Sequence, residues 1–194
     1  MDRPPAALFD DLRSCAESSG VEVRLKELDI ETPGEFDGPT ITINPRHGHT
    51  AAAFYLAHAF GSIVQWSTDF ECAKRVFDDL RDAKKRRQKS PDAFEQAVLR
   101  WRKFEQTSSE YAVWTLEESG HSLAIEPYTI FFRADIEAMT IFHRTGKAPE
   151  WPEFFGEWKR QVKRGQIQPE PFAPRQVPPF TPVKIEKQEV VQER

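Results

Sequence analysis

Cysteine is scarce in this chain. Cys15 and Cys72 are the only two among 194 residues, and they lie far apart. Such a pair builds neither a disulfide framework nor a zinc ribbon, and it fits a reducing cytoplasm. Long apolar runs are missing too. None approaches the roughly 18 residues that a membrane-spanning helix needs, and MDRPPAALFDDLRS has no apolar stretch of the kind a secretory signal carries. There is no excess of positive charge. The formal net charge is −4, so bulk electrostatics points to neither nucleic acid nor an anionic membrane surface. G-x-S-x-G, P-loop and G-x-G-x-x-G motifs are absent, as is any internal repeat. These gaps lead us to expect a cytoplasmic protein with no membrane contact, no nucleic-acid partner and no cofactor.

Aromatic residues are plentiful. Fifteen Phe and five Trp help bring the aromatic share to 12%, which excludes a fully disordered chain and provides for a real core. Pro4 and Pro5 open a short predicted helix with Leu8, Leu12 and Cys15 at helical spacing and Gly20 as its stop. "VEVRLKEL", Val21 to Leu28, alternates apolar and polar residues as a half-exposed strand does. "ETPGEFDGP" reads as a turn, and "TITIN", Thr40 to Asn44, as a second strand. Two strands joined by a turn predict a small antiparallel sheet. Helices are predicted over 51–66, 70–88, 90–119, 125–145 and 150–164. The basic run KKRRQK, Lys84 to Lys89, is read as a solvated helix end that complements the helix dipole. His121 and His143 also stand near helix ends, where a cation is favourable.

The stretch "AAAFYLAHAFGSIVQW" is apolar on nearly every side, so the helix it forms is buried on nearly every side. His58, Ser62 and Gln65 are its few ordinary polar residues. They stand four and three residues apart, which puts them on one face. An unpaired buried polar group costs roughly 1–3 kcal/mol. Polar partners must therefore face this stripe from a neighbouring element.

"LAHAFGSIVQW" resembles the zincin helix of the ImmA/IrrE-like metallopeptidases, whose usual text is close to LAHELGH. Leu56, Ala57, His58 and Gly61 occupy the Leu, Ala, first His and Gly of that motif. The order of elements is similar as well: a helix, a small sheet, the motif helix, then further helices. The resemblance covers about Leu8 to Ser119 and implies a zincin-like α+β fold. In HExxH the two His hold zinc and the Glu activates its water. Here Ala59 stands for the Glu and Ser62 for the second His. Alanine accepts no proton and serine is a poor zinc ligand, so the resemblance implies a pseudoenzyme.

The family's third ligand is a Glu on a later helix, in text like ExEAxxFA. The matching stretch is "FEQTSSEYAVW", whose register is ambiguous. One alignment places Thr107 at the ligand position, and another selects Glu110. Periodicity separates the carboxylates. Phe94, Ala97, Val98, Trp101, Phe104, Ser108 and Ala112 mark the inner stripe; Glu105 falls within it and Glu110 on the opposite face. Glu105 is therefore the carboxylate expected to look at His58. The vestigial-site candidates are His58, Ser62, Glu105 and Glu110, with His58 the sole metal candidate. "HGH", His47 to His49, reads as a turn starting the motif helix. A divergent metal-dependent hydrolase would need His58 and Glu105 joined by His47 or His49.

The chain changes character after Arg164. Six of the fourteen residues from Pro169 to Pro182 are proline, which excludes regular helix and favours extended chain. Phe172, Val177, Phe180, Val183 and Ile185 are interspersed there. A pure spacer would be more polar, so part of this tail either lies across the domain or docks in a partner's polyproline-binding groove; a free C-terminus is the alternative. Trp151, Phe154, Phe155 and Trp158 give the preceding helix an aromatic face that serves as core packing or as a partner surface. The expectation is a mostly helical α+β domain over 1–164 with a proline-rich tail over 165–194. Its expected function is that of a protein-binding or regulatory module without catalysis, using Trp151, Phe155, Trp158 and Phe180 as partner contacts.

Overall fold

A computed structural model describes residues 7–29 and 32–185. Pro4 and Pro5, assigned above to a helix start, lie outside the described residues. The described part is mostly helical, with one small sheet. Helix α1 (Leu8–Ser18) buries Leu8, Leu12 and Ala16 and ends at Gly20, whose φ of 82° suits a residue without a Cβ. Strands β1 (Glu22–Leu25), β2 (Gly34–Phe36) and β3 (Thr40–Ile43) follow.

The sheet corrects one expectation. β3 lies in the middle, antiparallel to β2 but parallel to β1. The segment read as a plain turn itself contains β2, and β2 takes the hairpin position beside β3. β1 is left to pair with the far edge of β3 in the same direction, so the sheet is mixed. Asn44 fixes the connection that makes this possible. Its fully buried amide donates to the carbonyls of Leu28, Asp29 and Thr32 at 3.3, 3.1 and 3.0 Å, and its Oδ1 accepts from the Arg46 N–H.

A short 3-10 turn (Pro45–His47) leads to Gly48, and α2 (His49–Thr68) begins there. α2 is the central element, packed on α1, α3, α4 and the sheet. Its closest neighbour is the long α4 (Pro91–Glu118), about 42 Å from end to end. Gly61 permits that contact: a Cβ there would overlap the carbonyl oxygen of Ser108. α3 (Phe70–Lys85) covers the far end of α2, where Trp66 stacks on Phe77 at 5.4 Å. α5 (Ile125–Thr145) lays Tyr128, Phe131 and Phe132 over α2, and α6 (Trp151–Lys163) sits on α5.

The tail lies across the domain. Arg133 Nε donates to the Glu170 carbonyl, and its guanidinium stands 4.0 Å over the Phe172 ring. The Arg175 N–H donates to the Glu110 carbonyl at 3.0 Å. Phe180 meets Phe60 edge-on at 5.9 Å. Ile185 donates its N–H to the Asp37 carbonyl and packs beside Trp66 and Phe104. Among the described residues the strap thus crosses α5, α4 and α2 and reaches the β2–β3 hairpin. Phe172 and Ile185 are only 2% and 1% exposed.

Candidate functional site

His58 lies midway along α2 and faces α4 and α5. Its Nε2 is 3.0 Å from Glu105 Oε2, and the two side chains are only 14% and 18% exposed. Its Nδ1 is 3.3 Å from the Tyr128 hydroxyl and 3.3 Å from the Ser109 hydroxyl. The ring stacks on Phe132 at 4.2 Å, with 12° between the planes. In the tautomer protonated at Nε2, Nε2–H donates a hydrogen bond to Glu105 and Nδ1 accepts one from a hydroxyl. Further along the stripe, Ser108 donates to Gln65 Oε1 at 2.9 Å. α4 therefore meets the α2 stripe with polar groups of its own.

The order carboxylate, imidazole, hydroxyl is that of a nucleophile triad. Both hydroxyls, however, are buried. Ser109 is 0% exposed and so is Tyr128, leaving neither oxygen a path to a substrate. Burial, the dominant influence, holds the Tyr128 hydroxyl well above its ordinary pKa, and the phenol stays neutral. Two hydroxyls also share the one lone pair on Nδ1. The arrangement joins three helices at a polar knot whose Glu105 edge lies at the rim.

As a metal centre the knot has two donors, His58 and Glu105, and they are engaged with each other. Ser62 is buried within α2. Glu110 is buried as well, although the sequence put it on an outer face. The tail covers that face: Arg175 Nε sits 3.2 Å from Glu110 Oε2, and Gln106 donates to Glu110 Oε1 at 3.0 Å. His47 and His49 stand at the start of α2, at least about 13 Å of helix away from His58. They line a separate groove of about 900 Å³ with Phe54, Phe131, Phe155 and Val162. Among the described residues no group of three or more His, Cys, Asp or Glu is placed to hold a metal ion.

The four residues assigned to partner contact are placed in two regions. Trp151 and Phe155 stack on each other at 5.1 Å and both meet Phe131 edge-on. Trp158 stacks on Phe154, and its indole N–H has no hydrogen-bond partner. No residue of α6 is fully buried. Phe180, by contrast, belongs to the strap. Tyr128 and Ser109 were not foreseen, because nothing in the sequence links them to His58 across separate helices. His121, read as standing near a helix end, is buried there, its Nε2 2.9 Å from Asp11 Oδ2. His143 departs from the expectation of a helix-end cation. It is buried against Trp101, and burial, aided by Lys84, lowers its pKa to about 4, so it is neutral near pH 7.

No helix among the described residues is long and apolar enough to cross a membrane. Comparison with protein-family models, with curated proteins and with solved structures finds no match for the chain.

Proposed function

We propose that this protein is a non-catalytic binding module of the cytoplasm, with a zincin-like core whose hydrolytic groups have been replaced. The observation that carries the reading is the internal pairing of the His58 knot. Both ring nitrogens are engaged by the protein's own side chains, and the neighbouring hydroxyls are fully buried. Ala59 and Ser62 stand where the resembled family has its base and second imidazole. The free thiols of Cys15 and Cys72 fit a reducing compartment.

The docking face is α6 and the groove beside it. Trp151, Phe154, Phe155 and Trp158 are only half-buried, on a helix that buries none of its residues completely. Rigid aromatic side chains supply most of the energy at protein interfaces. The partner on this reading is another protein. A photo-reactive residue in place of Trp158 tests it in living cells against one in place of Arg75, which is exposed on α3. A discrete protein adduct from position 158 alone is expected. Equal, diffuse labelling from both positions would overturn the reading.

A further inference from the structure

The groove framed by the start of α2, the start of α5 and one side of α6 measures about 900 Å³, a size common among small-molecule sites. Most of its wall is apolar. Ala51, Ile130, Phe155 and Val162 line it and are only half-buried, so their surface is open to a ligand. Phe155, Lys159, Val162 and Lys163 fall on one side of α6. Apolar and cationic side chains thus share a single stripe, about 12 Å long from Phe155 to Lys163.

The charge on this groove is positive. Lys159 and Lys163 are both exposed, and neither makes an ion pair among the described residues. The Lys159 ammonium stands 4.8 Å over the Phe155 ring, a contact that leaves its charge in place. Glu126 is the one carboxylate in the lining. Two ammoniums against one carboxylate leave one positive charge. The N-termini of α2 and α5 each add about half a charge, and the C-terminus of α6 takes about half away. The balance is about one and a half positive charges, before His47 and His49 are counted. The start of α2 has no acidic residue in its first turn and no side-chain cap, so nothing in that turn offsets its share.

We propose that the groove binds a medium-chain fatty carboxylate. One negative charge matches the surplus at the Lys159, Lys163 and α2 rim, and the hydrocarbon covers Ala51, Ile130, Phe155 and Val162. An extended chain fits a stripe of this length better than a compact ring does. A peptide would bring backbone N–H and C=O groups for which the apolar wall has no partners. The site goes beyond the protein contact proposed for α6 and does not depend on it. Trp158 is outside the groove lining, so labelling from position 158 and ligand binding here can each fail alone.

Calorimetric titration of the full chain with decanoate, decanol, decylamine and acetate at low salt (about 50 mM) tests the site. Decanoate should bind saturably at one site per chain, at least about tenfold more tightly than the other three compounds. Lys159 and Lys163 are exposed, so a variant combining Lys159→Ala and Lys163→Ala keeps the fold. It should bind decanoate at least about fivefold more weakly. Histidine-selective 15N spectra should show His49 shifting on decanoate addition while His58 and His143 stay in place. Four results would overturn the proposal. They are no saturable decanoate binding, decanol or decylamine binding as tightly, acetate binding as tightly, and affinity unchanged in the double variant.

Discussion

Removing His58 and Glu105 singly and together measures what the buried knot contributes. His58→Ala deletes a ring stacked on Phe132 and leaves Glu105, Ser109 and Tyr128 without their shared partner. Large-to-small core changes cost about 2–5 kcal/mol. Orphaned polar groups add about 1–3 kcal/mol each, less where water reaches them, as it does at the 18% exposed Glu105. About 3–4 kcal/mol is the expected loss, a large part of the stability of an ordinary domain. Glu105→Leu leaves Nε2–H unpaired at the rim and costs about 1–2 kcal/mol. With His58→Ala and Glu105→Leu combined, neither member of the pair is left facing a missing partner, so the loss should fall short of the sum of the single changes by about 1 kcal/mol or more. Urea unfolding followed by tryptophan fluorescence reads all of these values. If His58→Ala changed stability by less than about 0.5 kcal/mol, or the single changes added within that margin, the ring would not be the joint described.

Three further perturbations follow from the packing. Gly61→Ala should cost about 2 kcal/mol or more, because its Cβ must push the Ser108 backbone away from α2; an unfolding midpoint equal to that of the parent would contradict the close approach. Deleting the chain after Gln168 uncovers the pockets of Phe172 and Ile185, each worth about 1.5–3 kcal/mol. It should lower the unfolding midpoint and open the α2–α4 face to protease, and a truncated chain as stable as the whole would show that the strap is not anchored. His143 has its pKa lowered from 6.5 to about 4 in the folded protein. The native state then binds fewer protons than the unfolded state, so stability is complete above about pH 6.5 and falls as the pH drops toward 4. The full loss approaches about 3 kcal/mol. A His143→Leu variant should lose less stability than the parent between pH 7 and pH 4.5, and parallel losses would refute the shift.

The sequence made some of this legible for identifiable reasons. Three polar residues in an otherwise apolar helix define a stripe, and the inner periodicity of α4 picks Glu105 over Glu110 to face it. Each signal runs along a single long helix, α2 for the stripe and α4 for the periodicity. The sheet was harder to read because β2 is only three residues, Gly34–Phe36, set among prolines and glycines. Period-two alternation is invisible at that length. Glu110 does point away from His58, yet it is buried, because the tail folds back and brings Arg175 to it. That contact joins residues 65 positions apart, and local pattern carries no trace of it. His143 failed for the same kind of reason: its place at the end of α5 suggested a solvated cation, while Trp101 of α4 shuts it in.

Zinc stoichiometry of the purified full chain, measured beside His58→Ala, tests the central claim most directly. An imidazole held by Glu105, Ser109 and Tyr128 gives no zinc that depends on His58, and the parent and the variant should carry the same trace amount. One tightly held zinc per chain, lost in His58→Ala, would contradict the account and restore a metal centre to α2.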